Sequence, residues 1–171
     1  MNVLNRTKTD DVEIRIHDAG RGMSTGEKRN LLIQSATGEY FCFIDDDDLV
    51  PEYYISEMLN ALQSNPDVVT FIGHMTTDGK NRQNFTIKLG SEYETKNNHH
   101  YRFPNHLCAF KKSLVGHVQF PHTNVGEDYL WAVKLQHLLK TEVHINKEMY
   151  IYEFNSTKNH TTGKTKHTRI R

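Results

Sequence analysis

Cysteine is scarce: Cys42 and Cys108 are the two in 171 residues. Each lies in an apolar run, YFCFI and HLCAF, where a small hydrophobe packs well, so both are expected as buried free thiols rather than a disulfide. Long apolar runs are missing too. Nothing approaches the roughly 20 residues of a membrane span, and the opening MNVLNRTKTDD lacks the hydrophobic stretch of a secretory signal. A soluble, cytoplasmic protein is expected. Nor is there an excess of one charge: Lys plus Arg and Asp plus Glu both number 21. No overall field draws the chain to nucleic acid, and a phosphate-bearing partner must be recognised locally. The eleven histidines form neither an HExxH nor a CxxC-plus-His pattern, so most are read as surface residues.

What is present has the size of one domain and reads as alternating strands and helices. Val12-Glu13-Ile14-Arg15-Ile16-His17 alternates as a half-covered strand does, and Asp18-Ala19-Gly20 ends it with turn formers. Ser24 followed by Glu27 is a capping-box pattern opening a helix, with Gly38 beyond its end. Tyr40 to Ile44 is apolar throughout, as in a strand buried on both faces, and four aspartates stop it. Pro51 suits the first turn of the next helix, which carries Ile55, Met58, Leu59 and Leu62 on one face. Strands are expected at residues 67–72, 85–89, 107–110, 143–145 and 149–154. Residues 76–84 and 90–105 read as loops, and a helix opens at Gly126-Glu127-Asp128. Trp131 keeps helical spacing with leucines and is expected in the core. The architecture is α/β, a mixed sheet flanked by helices in one domain over residues 1–155, with a basic flexible tail over 156–171.

The run Asp45-Asp46-Asp47-Asp48 carries the most chemistry. Carboxylates ending a buried strand project from the carboxyl edge of a sheet, where ligands bind in open α/β folds. Four together repel one another unless a hard cation takes some of their oxygens, and Mg2+ or Mn2+ commonly bridges one or two carboxylates to substrate phosphates. A solvated acidic turn leading into the Pro51 helix is the other reading.

The context GEYFCFIDDDDLVPEYY, preceded by STGEKRNLLIQSA and followed by FPNHLCAFKK and GEDYLWAVKL, resembles the GT-A glycosyltransferases of family 2. The resemblance implies a Rossmann-like GT-A domain, here N-terminally truncated, since only about eleven residues precede the first strand where family members carry a further strand, helix and nucleotide loop. It implies a DxD-type donor site. Asp45 would touch the ribose and Asp46 would contribute to the nucleotide site. Asp47 would ligate Mn2+ or Mg2+, Asp18 would hold the nucleobase, and Lys28 and Arg29 would face the nucleotide. Asp128 would be the general base, and His160 in the tail would complete the metal shell. An exposed basic pair on a helix is the plain reading of Lys28 and Arg29, and an acidic first helical turn that of Asp128.

The implied activity is a metal-dependent, inverting transfer of a sugar from a nucleotide sugar, a UDP-sugar such as UDP-glucose, to an acceptor hydroxyl the sequence does not name. The alternative is a nucleotide-sugar-binding remnant without turnover. A metal-dependent nuclease or phosphatase is disfavoured by the lack of a second carboxylate–histidine cluster. A homodimer would cover an exposed sheet edge.

Overall fold

The computed structural model describes residues 9–17 and 22–154, together with Leu4, Thr7 and Ser156 individually. Asp18, His160 and nearly all of the expected tail lie outside the described residues.

Helix α1 (Thr25–Ser35) begins where its cap pattern places it: Ser24 accepts from the Glu27 amide, and Glu27 accepts from the Ser24 amide. β1 (Tyr40–Phe41) is short, and α2 (Tyr54–Leu62) starts one turn after Pro51, whose carbonyl accepts the Tyr54 amide. β2 (Val68–Thr77) and β3 (Lys80–Ile87) form a hairpin, not a strand, loop and strand. Asp78 and Gly79, with φ 51 and φ 70, make the two-residue turn that lets both strands run on through the expected loop. The second expected loop holds a hairpin as well, β4 (Glu94–Lys96) and β5 (His99–Arg102), turned by Asn97 and Asn98 at φ 49 and φ 61. β6 (Ala109–Lys111), the single turn α3 (Lys112–Val115), α4 (Glu127–Leu135) and β7 (Glu142–Phe154) complete the order. The two strands expected near the C-terminus are one strand with irregular register around residues 145–150.

Among the described residues the sheet has seven strands, in the order β1-β6-β2-β3-β5-β4, with β7 also on β2. It is mixed: β2 with β7 and β3 with β5 are parallel, the other pairs antiparallel. β2 is the centre. β7 runs along one side of it, while β6 and β3 share the other. Two positions differ from the sequence reading. Residues 12–17, expected as a strand, carry no assigned secondary structure and join no ladder among the described residues. Beyond Phe41 no described strand pairs with the second edge of the apolar run, and Cys42 is exposed while Cys108 is buried.

The core lies between the sheet and the helices. Trp131 is fully buried, stacked on Phe120 at 4.3 Å and edge-on to Phe110 at 5.1 Å, and its indole N–H donates to the Val118 carbonyl at 2.9 Å. That packing fixes α4 and so sets where residues 127 and 128 stand.

Candidate active site

Four parts of the chain meet at the end of the open apolar run. α1 supplies Arg29, the segment after β1 supplies the aspartates, the stretch before β6 supplies His106, and the first turn of α4 supplies Glu127 and Asp128. Arg29 is not an exposed helix cation. It is 7 % exposed, its Nη2 donates to Asp45 Oδ1 at 2.9 Å, and Glu127 Oε1 lies 3.8 Å away. Phe43 and Phe120 flank the guanidinium with ring centres at 5.3 and 5.7 Å. A cation taken this far from water needs paired carboxylates, and it has two. Its Nη1 is buried with no hydrogen-bond partner among the described residues, an N–H left for a further acceptor. Lys28, one residue earlier, is only half-buried.

His106 joins the two carboxylates of greatest interest. Its Nε2 is 3.4 Å from Asp45 Oδ2 and its Nδ1 is 3.5 Å from Asp128 Oδ2. The ring is 8 % exposed. Sequence reasoning missed it, for it is one polar residue beside an apolar run, and its partners lie 61 and 22 positions away along the chain. Burial alone would raise the Asp45 carboxyl, but the His106 hydrogen bond and the Arg29 charge outweigh it and hold the group at about 2. Asp45 is therefore a fixed anion. Glu127 is raised, burial prevailing over the Arg29 charge.

The four aspartates have different environments. Asp48 is buried and accepts from Tyr150 Oη at 2.7 Å and from the Glu153 amide at 3.0 Å. Burial pushes it up to about 6 against those bonds. Its work is to tie the turn to β7, helped by the Asp45 amide, which donates to Tyr150 Oη at 3.1 Å. Asp46 and Asp47 are exposed, and neither carboxylate has a hydrogen bond or ion pair among the described residues. Tyr152 is half-buried, and its hydroxyl is raised by burial first, then by the charges of Asp48, Asp47, Asp45 and Asp128.

Among the described residues no three His, Cys, Asp or Glu side chains form a ready metal cage. The donor set still suits a hard divalent cation. Two uncommitted carboxylates on a turn, with the rest of the shell left open, is the arrangement in which Mg2+ or Mn2+ shares its coordination with substrate phosphates. Of the residues expected from the sequence, Arg29, Asp45 and Asp128 are brought together, with Asp46 and Asp47 on the adjoining turn. Asp18 and His160 lie outside the described residues. No described helix is long and apolar enough to cross a membrane.

The fold is shared with solved structures. S. aureus TarS residues 1–349 in complex with UDP superposes with a TM-score of 0.58 at 17% identity, covering 76% of this chain and 40% of that one. The same fragment in complex with UDP-GlcNAc gives a TM-score of 0.59 at 15% identity, over 80% of this chain and 40% of that one. The chain thus spans less than half the length of these structures. No curated protein matches. The model of the family described as "Glycosyl transferase family 2" matches residues 3–127. That stretch holds the capped helix, the aspartate run, His106 and the start of α4, and on the strength of it the chain belongs to glycosyl transferase family 2.

Proposed function

We propose that this domain transfers a sugar from a UDP-sugar to an acceptor hydroxyl with inversion at the anomeric carbon. The observation that carries the reading is the meeting of Arg29, Asp45, His106 and Asp128 beside two uncommitted carboxylates. Asp45, held ionised, accepts hydrogen bonds from the nucleoside ribose, with Asp46 contributing beside it. The spare N–H of Arg29 is a donor for an anionic oxygen of the nucleotide. Asp47 would hold Mn2+ or Mg2+, which supplies positive charge against the departing diphosphate. The complexes of the structural neighbours with UDP and UDP-GlcNAc support a uridine donor.

Asp128 completes the chemistry. Its side chain is 36% exposed, open to an incoming hydroxyl, and His106 beside it limits its orientation. As the acceptor oxygen bonds to the anomeric carbon and the sugar–phosphate bond breaks, the acceptor proton passes to Asp128 and the electron pair leaves with UDP. One displacement suffices, and no covalent sugar–protein intermediate is needed.

The test is calorimetric titration with a panel of nucleotide sugars, with and without Mn2+, alongside donor turnover by wild type and Asp128→Asn. Expected are cation-dependent binding of a uridine donor by both proteins, and a fall in turnover of about 10² to 10⁴-fold in the variant. Absence of nucleotide binding overturns the reading. Binding without turnover in the wild type leaves a nucleotide-sugar-binding domain instead.

A further inference from the structure

Tyr93 immediately precedes β4 and Phe103 immediately follows β5, so the β4–β5 hairpin carries two rings side by side at its open end, their centres 5.5 Å apart. Tyr129 comes to them from α4. Its ring centre lies 5.2 Å from that of Tyr93 and 5.8 Å from that of Phe103. The residue before Tyr129 is Asp128, and three residues after Phe103 the chain reaches His106. The trio therefore adjoins the candidate site through both of the segments that carry it.

Packing of the hairpin on α4 accounts for Phe103, which is half-buried. It does not account for the tyrosines. Tyr93 and Tyr129 are 50 % and 44 % exposed, and neither hydroxyl has a hydrogen bond among the described residues. Aromatic rings gathered in one place leave apolar surface in water, and such patches mark binding surfaces. Tyr93 is also held still. The Arg102 guanidinium lies 3.9 Å from its ring centre, while Arg102 Nη1 donates to the carbonyls of Glu94 at 2.8 Å and Tyr101 at 2.7 Å. A ring fixed in advance loses little further freedom when a ligand settles on it.

We propose that Tyr93, Phe103 and Tyr129 form the acceptor platform, and that the acceptor is a carbohydrate whose ring stacks there while one of its hydroxyls reaches Asp128. This rests on the sugar-transfer reading given above. The face of a pyranose is a patch of C–H groups edged by hydroxyls, and its complement is an aromatic surface with hydrogen-bonding groups at the rim, which the two phenols provide. A long-chain alcohol would find no enclosed apolar path here, since both tyrosines stand open to water. Arg102 is committed to a ring and to carbonyls, which argues against an anionic acceptor. A protein docking on α4 would also use Val133, 45 % exposed and one turn along from Tyr129, whereas a sugar held at Asp128 has no need of it.

The test uses the full chain. Titration with UDP and Mn2+ examines the donor reading by itself. Transfer from UDP-glucose and UDP-GlcNAc is then measured to neutral oligosaccharides of glucose, galactose and N-acetylglucosamine, with glycerol and a long-chain alcohol as hydroxyls without a ring. At least one oligosaccharide should be accepted in preference to both alcohols. Tyr93→Leu and Tyr129→Leu keep apolar bulk under the hairpin but lose the flat ring, so each should raise the acceptor KM about tenfold, with kcat within about twofold and UDP binding unchanged. Tyr129→Phe should recover most of the loss, and Val133→Ser should cause none. Nitration mapped by mass spectrometry adds a readout without turnover. Tyr93 and Tyr129 should react in the free protein and be protected by the oligosaccharide, while Tyr53, 41 % exposed at the start of α2, should react equally in both states. Four outcomes overturn the platform while leaving the donor reading in place: UDP binding with no sugar accepted or a ringless alcohol preferred, an unchanged KM in both leucine variants, an equal loss in Val133→Ser, or tyrosines 93 and 129 already shielded in the free chain. Failure to bind UDP removes both.

Discussion

Asp45, Asp46, Asp47 and Asp48 are identical in sequence and unlike in the fold, because burial and partners differ at each. Asp45 is paired, Asp46 and Asp47 are exposed and uncommitted, and Asp48 is buried under Tyr150. The run was legible as a candidate site since four adjacent carboxylates need a reason to be together. Which of them stays free was not, for the deciding partners come from residues 106, 150 and 153. His106 is the clearest omission. It touches Asp45 and stands beside Asp128, so under the proposed function it would position both. His106→Gln keeps a polar side chain but cannot span the two carboxylates in the same way. Turnover should fall about a hundredfold, the cost of a small misplacement of reacting groups, while the fold stays intact. Steady-state kinetics with a circular dichroism control would check it. A variant whose kcat and pH profile match the wild type would remove His106 from the site.

Elements set by neighbouring residues were read well, and those set by distant ones were not. The Ser24–Glu27 cap is complete within four residues, and helix α1 starts there. The hairpins at Asp78-Gly79 and Asn97-Asn98 had turn chemistry in plain view, but their polar strands look like loop until a partner strand is known. Conversely, residues 12–17 had the right alternation and have no partner strand among the described residues. α1 also illustrates close approach. Gly26 is buried against the chain at Pro121, and a Cβ there would fall 1.9 Å from the Pro121 carbonyl oxygen. The helix would have to move, and Arg29 sits one turn further on. Gly26→Ala should destabilise by about 1–3 kcal/mol despite the better helix propensity of alanine, and should weaken nucleotide binding as Arg29 leaves Asp45. Ser24→Ala, which removes one capping acceptor, should cost about 1 kcal/mol. Urea titrations of the two variants would rank them, and a neutral or stabilising Gly26→Ala would mean that the α1–Pro121 contact gives way without consequence.

At the scale of the molecule, the sheet is organised around a parallel pair, β2 with β7, whose strands are more than sixty residues apart in sequence. No local pattern announces that closure, which is why strand positions could be expected and strand order could not. One side chain fastens the start of the pair. Asp67 Oδ2 accepts the amides of Lys140 at 2.8 Å and Thr141 at 2.9 Å, and the Asp67 amide returns a bond to the Thr141 carbonyl at 3.1 Å. Burial works to raise the carboxyl, but the two amides outweigh it, and the group lies below its ordinary range. A carboxylate lowered in the folded state adds stability above its unfolded pKa of about 3.9 and loses it as pH falls through the lower folded value. Asp67→Asn keeps an acceptor and removes the charge. It should therefore cost about 1 kcal/mol near neutral pH, a modest figure because the site is partly open to water. The gap between wild type and variant should hold steady down to about pH 5 and close below pH 4. Denaturant titrations at a series of pH values would show this. A gap of constant size down to pH 3 would mean that the charge on Asp67 does not contribute and that the shape of the turn alone holds β7 against β2.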